Sequence, residues 1–298
     1  MDPRKVLLPM TTLMMMIAGS LVSAQQTPRR LSDSKFAKNY QVSWGSSNTR
    51  LMNRGSQLQL LLTNNTGGSG FASKNKYLFG YVSMRIKLVA NESAGTVTTF
   101  YMSSQMPSKD HDEIDFEFLG NTSGQPYIVH TNIFANGTGD REQQIYLWFD
   151  PTADFHTYSI LWNRRQIILY VDDVPIRVFA NKMAELGVPF PLTKPMAVYA
   201  SLWNGDDWAT RGGLEKIKWN KSPFVASFRG FGIDACKWSS SSPRSCTKTR
   251  RPPKWWESSM FLVKDEDTTH KLQWVKDNWM IYDYCKDFKR FLRLPPEC

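Results

Sequence analysis

Carboxyl groups crowd one short stretch, His111-Asp112-Glu113-Ile114-Asp115-Phe116-Glu117-Phe118-Leu119-Gly120, in which acidic and apolar side chains alternate with period two. Period two belongs to a β-strand, so Glu113, Asp115 and Glu117 share one face and Ile114, Phe116 and Phe118 share the other. The apolar face can seal a core. Three like charges in a row, with no Lys or Arg among them, cost stability and raise at least one carboxyl pKa. Glycoside cleavage uses such an arrangement: one carboxylate acts as nucleophile or base, and a second, kept protonated, acts as general acid. Glu113 and Glu117 are the candidates. Asp115 between them could fix which neighbour is ionised, the three titrating as a unit. On a flat strand four residues span roughly 13 Å, whereas retaining glycosidases hold their carboxyls about 5–5.5 Å apart. The strand must bend, or the two Glu side chains must lean inward across Asp115. A metal site is disfavoured because His111, adjacent in sequence, points elsewhere, and no cofactor is called for.

The elements that must carry this face are strands. Between Gln57 and Phe231 short alternating or β-branched runs are separated by Gly, Asn, Asp and Pro: Leu58 to Leu62, Tyr81 to Val89, Thr96 to Met102, Tyr127 to Phe134, Gln144 to Phe149, Thr157 to Trp162, Gln166 to Val171 and Pro195 to Trp203. This is an all-β pattern. In Tyr81 to Val89 the residues Val82, Met84, Ile86 and Leu88 face one way and Ser83, Arg85 and Lys87 the other, giving one core side and one wet side. Roughly a dozen such strands with one helix-compatible turn at Asn181 to Leu186 suit a single large sandwich over 25–233. Residues 234–298 change character. An irregular lead-in is followed by a helix-compatible stretch from Trp255 to Trp279, read as an extension packed on the sandwich, since its tryptophans need something to pack against.

The first 24 residues carry a basic start (Arg4, Lys5), an interrupted apolar run and the small-residue site Val22-Ser23-Ala24, the pattern of a secretory signal peptide. No later run approaches the length of a membrane anchor. The mature chain is expected to be exported, soluble and monomeric. Removing Asp2, Arg4 and Lys5 turns 37 basic and 27 acidic residues into 35 and 26, a net charge of +9, which favours an acidic surrounding. Nucleic acid is not expected, because the basic residues are scattered and the chain is exported. All four cysteines, Cys236, Cys246, Cys285 and Cys298, lie in the last 63 residues. Export favours disulfides; of three possible pairings, the short loops favour Cys236–Cys246 with Cys285–Cys298.

The acidic strand with the turn Gly120 to Tyr127, together with Phe71-Ala72-Ser73-Lys74, Asp140-Arg141-Glu142-Gln143, Trp148 to Thr152, Val171 to Arg177, Ser201-Leu202-Trp203-Asn204 and the closing Pro295-Pro296-Glu297-Cys298, resembles the plant xyloglucan endotransglucosylase/hydrolases of glycoside hydrolase family 16. The likeness runs from about Phe36 to Cys298. It implies a curved, concanavalin A-like jelly-roll sandwich with a short disulfide-clipped C-terminal extension, and the same cysteine pairing. It also implies retaining cleavage of the β-1,4-glucan backbone of xyloglucan, with Glu113 as nucleophile and Glu117 as acid/base. The glycosyl group then passes to a second xyloglucan chain in the cell wall or apoplast.

By the same carry-over Glu117, His130, Thr131, Asn132, Asp140, Arg141, Glu142, Trp203, Asp207, Trp208, Gly212 and Arg290 contact the glucan, and Asn121 is the glycosylated sequon. From composition alone, Trp203 and Trp208 flank the polar turn Asn204 to Asp207 and set indoles beside hydrogen-bonding groups, as a sugar cleft requires. The compact loop Asn136 to Glu142 resembles the transferase members more than the hydrolases. Two alternatives stand beside transfer: a xyloglucan endohydrolase, and a β-sandwich lectin that binds glucan without cutting it. The same-face Glu-X-Asp-X-Glu is what a lectin does not require.

Overall fold

The computed structural model describes residues 31, 33–104, 109–248, 253–258 and 266–298. The proposed signal peptide lies outside the described residues, as does most of the Lys248 to Arg251 basic cluster. One antiparallel sheet runs in the order β1 (Tyr40–Trp44), β4 (Ser69–Ser73), β13 (Ala197–Asn204), β6 (Thr96–Ser103), β7 (Glu113–Leu119), β8 (Ile128–Phe134), β9 (Gln143–Tyr146) and β16 (Met280–Asp283). A second runs β12 (Val174–Ala180), β11 (Gln166–Val171), β10 (His156–Trp162), β5 (Tyr77–Lys87), β14 (Phe224–Arg229), β3 (Gln57–Leu62) and β2 (Thr49–Met52), with β15 (Ile233–Lys237) also paired to β5. The two stack as an all-β jelly-roll sandwich. Among the described residues the α-helices are α1 (Phe36–Asn39), α2 (Met183–Leu186) and α3 (Glu266–Asn278), and none is long and apolar enough to cross a membrane.

Alternation decides what fills the space between the sheets. Ile114, Phe116 and Phe118 of β7 are fully buried, and Phe118 meets Tyr158 of β10 edge to face at 4.5 Å. Val82, Met84 and Ile86 of β5 supply the opposite wall. Each such side chain contributes about 1.5–3 kcal/mol by leaving water. The acidic face of β7 is thereby turned to the outer side of its sheet, near the middle, with β6 on one flank and β8 on the other.

The C-terminal residues do more than lie on the sandwich. β16 pairs with β9 and lengthens the β7 sheet by one strand. Disulfides join Cys236 to Cys246 and Cys285 to Cys298, the two local clips expected. The helix expected from Trp255 starts later within the described residues. Trp255–Glu257 is a single 3-10 turn after Pro253, and α3 begins at Glu266 with acidic residues in its first turn, where they suit the helix dipole.

Candidate active site

Register places the site's walls. Across from Glu113, Asp115 and Glu117 stand Ser103, Tyr101 and Thr99 of β6, and Phe134, Asn132 and His130 of β8. β7 is followed by Gly120, where a Cβ would lie 1.9 Å from the carbonyl oxygen of Ser93; only glycine lets the chain leave the strand so close to its neighbour.

Glu113 and Asp115 are 8% and 6% exposed, while the Glu117 side chain keeps a quarter of its surface. Burial pushes the Glu113 carboxyl up, against the pull of Ser103, of a hydrogen bond with Asp115 and of His111, which does not point elsewhere as expected: it lies two residues before Glu113, shares its face and brings Nε2 within 4.0 Å of Oε2. Asp115 is pushed well above the usual carboxylate range by burial first, then by the charges of Glu113 and Glu117 and by that same hydrogen bond. The shared proton therefore sits on Asp115, which donates it to Glu113. Glu117 rises from 4.5 to about 7, through burial and then the charges of Glu113 and Glu142. Glu113, which accepts the Asp115 hydrogen bond, and Glu117, which holds its proton up to about 7, now share a face, as the division of labour in glycoside cleavage requires. Among the described residues, Glu113 Oε2 and Asp115 Oδ1 are buried without hydrogen-bond partners.

At the Glu117 end a small apolar cluster of Val97, Leu119 and Ala209, with Ile128 packed on it, anchors the loop after β13 on the outer face of the sheet. It seats Trp203 and Trp208, whose rings lie 6.2 Å apart, and Trp208 stands 6.0 Å from the His130 ring. Asp207 and Gly212 of the same loop are exposed. Arg290, from the clipped C-terminus, donates to Glu142 at 2.7 Å and to Asp140 at 2.5 Å. Burial pushes Glu142 up, but Arg290 more than offsets this and holds it below the ordinary value.

Two residues expected at the sugar, Thr131 and Arg141, have buried side chains. Thr131 lies between His130 and Asn132, so the alternation that turns those two outward turns it inward; it is 2% exposed and its hydroxyl accepts from Arg177 at 2.8 Å. Arg141 is 5% exposed and its Nε donates to Glu297 at 2.6 Å, tying the C-terminus beneath the site. Asn132 does face Asp115, its carbonyl oxygen accepting from the backbone of Ile133 and Arg141. Residue reading missed the stacked pair Tyr101 and Tyr199, 5.1 Å apart and beside Asp115, and Tyr282 of β16, whose hydroxyl meets Arg290. Parity along Thr96 to Met102 put Tyr101 opposite the core residues Phe100 and Met102, which was the available signal.

A two-sheet sandwich with two glutamates flanking an aspartate on the outer face of one central strand is the arrangement of a glycan-cleaving jelly roll. The chain belongs to glycosyl hydrolases family 16, whose profile matches residues 36–221, in the branch marked by the xyloglucan endo-transglycosylase (XET) C-terminus at residues 251–298. It is 52% identical over 287 residues to xyloglucan endotransglucosylase/hydrolase protein A of Phaseolus angularis, covering 96% of each chain. It is 54% identical over 271 residues to xyloglucan endotransglucosylase protein 2 of Diospyros kaki, covering 91% of this chain and 90% of the other. Among solved structures, a Bacillus licheniformis β-glucanase matches 70% of this chain and 98% of its own at 23% identity and a TM-score of 0.55, a likeness of fold.

Proposed function

We propose that this protein cuts the backbone of xyloglucan with retention and passes the glycosyl group to a second xyloglucan chain. The observation that carries it is the Glu113–Asp115–Glu117 face. Glu113, steadied by the Asp115 proton, attacks the anomeric carbon. Glu117, protonated to about pH 7, gives its proton to the departing glycosidic oxygen. A hydroxyl of the incoming chain then loses its proton to Glu117 as it attacks the same carbon and frees Glu113.

In this reading Asn132, Asp207, Trp208 and Arg290 touch the glucan, whereas Thr131 and Arg141 act from below by fixing β8 and the C-terminus. The long likeness to relatives named for transfer and the tight turn at Asn136 and Gly137, both at positive φ, favour transfer over hydrolysis. Export to the cell wall through residues 1–24, the division at about residue 234 and a glycan on Asn121, which stands in a turn just after β7, complete the reading. The test is to follow anomeric configuration by NMR and polymer size by chromatography, with and without labelled xyloglucan oligosaccharide. Retention with oligosaccharide-dependent chain shortening is expected. Early α-anomer would overturn the mechanism, and shortening indifferent to acceptor would mark an endohydrolase.

A further inference from the structure

His130 stands beside the acid/base carboxyl, and a second side chain holds its ring. Its Nδ1 lies 3.0 Å from Nε2 of Gln144, its register partner on β9, and its Nε2 lies 3.9 Å from Glu117 Oε2. An amide NH2 can only donate, so the Nδ1 it meets carries no proton, and in a neutral imidazole the hydrogen then sits on Nε2. That hydrogen faces Glu117. The ring itself is closed in by Trp208 on the loop after β13 and keeps 13% of its side-chain surface.

We infer that His130 is a positioning residue for the acid/base step: Gln144 locks its tautomer so that Nε2–H hydrogen-bonds Glu117 once that carboxyl has given up its proton. The inference rests on the transfer reading above and goes beyond it, since it says how one carboxyl is served in both halves of the cycle. When Glu117 is protonated the 3.9 Å gap is a loose contact; when it is ionised, closing the gap by about 1 Å makes a full hydrogen bond. Catalytic contacts that are long without substrate commonly tighten with it. The bond favours the ionised form that must wait for the acceptor's proton.

Burial drives His130 down to about 4, so the ring stays neutral across the working range and acts as donor only. The other groups facing this pair are Glu113 and Asp115 on β7, Tyr101 on β6, Glu142 before β9, Arg177 on β12 and Arg290 near the C-terminus. None of these makes a hydrogen bond to Glu117 among the described residues, which leaves His130 as the donor within reach.

The experiment compares the wild type with H130Q, H130L and Q144L by the pH profile of kcat/KM for transfer, alongside ring-nitrogen NMR of His130 and thermal melts. The wild-type ring should show a bare Nδ1 and a protonated Nε2. H130L should move the alkaline limb upward by about one unit, because the ionised Glu117 loses its donor. H130Q, which restores a donor, should leave the limb near its wild-type position, and Q144L should mix the tautomers. A limb that stays put in H130L, an equal shift in H130L and H130Q, or a wild-type ring protonated on Nδ1 would overturn the inference. If H130L does not fold, the ring-nitrogen spectra of the wild type and Q144L still decide it. A wild type without transfer at any pH would instead sink the functional reading and leave the tautomer result standing.

Discussion

At the Glu113 end of β7 the acidic face is sealed by Phe134, Ser103 and the Tyr101–Tyr199 stack, whereas at the Glu117 end it opens onto the tryptophan loop and the Arg290–Glu142 pair. The sealed end supplies Glu113 with an internal donor, the Asp115 proton, so its charge is stabilised locally although the carboxyl is buried. The open end gives Glu117 no fixed donor at hydrogen-bond length among the described residues and keeps its proton on by burial and by like charge. Environment, more than residue type, separates the proposed nucleophile from the proposed acid.

The sharpest break of that comparison is Glu113→Ala. Loss of the proposed nucleophile should cut transfer by about 10⁴-fold or more, while glucan retention in affinity electrophoresis stays within a few-fold. Asp115→Asn should be milder, with roughly a tenfold loss and an acid limb displaced upward, because an amide is a weaker donor to the Glu113 carboxylate than a carboxylic acid. An unmoved acid limb in the pH profile would show that Asp115 does not tune Glu113. At the open end Trp208→Ala removes a sugar platform, which costs about 1–2 kcal/mol of binding and should raise the acceptor KM by roughly tenfold. An unchanged KM measured with labelled oligosaccharide would place the acceptor elsewhere.

What could be read beforehand followed from period. Alternation in 113–118 fixed both faces of β7, and the same parity located the core side of β5 at Val82, Met84 and Ile86. The same rule turns Thr131 inward, away from the face that His130 and Asn132 share. Arg141 is different. Its burial depends on Glu297, more than 150 residues away in the chain, and no local pattern carries that. β16 was hidden because Met280-Ile281-Tyr282-Asp283 is short and has no buried residue, so its pairing with β9 owes little to composition. Tyr199 meets Tyr101 only once the strand order sets β13 beside β6.

The smallest expected effect bears on stability, and it turns the contrast between the two ends into a measurable difference. Glu117 titrates near 7 when folded against an ordinary 4.5, so between those values the folded protein holds a proton that the unfolded chain has lost. Stability then falls as pH rises through that window, is least favourable above pH 7, and carries no penalty below 4.5. The quarter-exposed side chain tempers the cost to about 2 kcal/mol. Gln cannot ionise, so Glu117→Gln should melt about 4–8 °C higher than the wild type at pH 8 and within a degree of it at pH 4. Glu113→Gln should gain less at pH 8, because Asp115 already stabilises that carboxylate. Calorimetric melts of the three proteins at both pH values are the measurement; a gain for Glu117→Gln that is equal at pH 4 and pH 8 would mean that packing, and not the buried charge, separates it from the wild type.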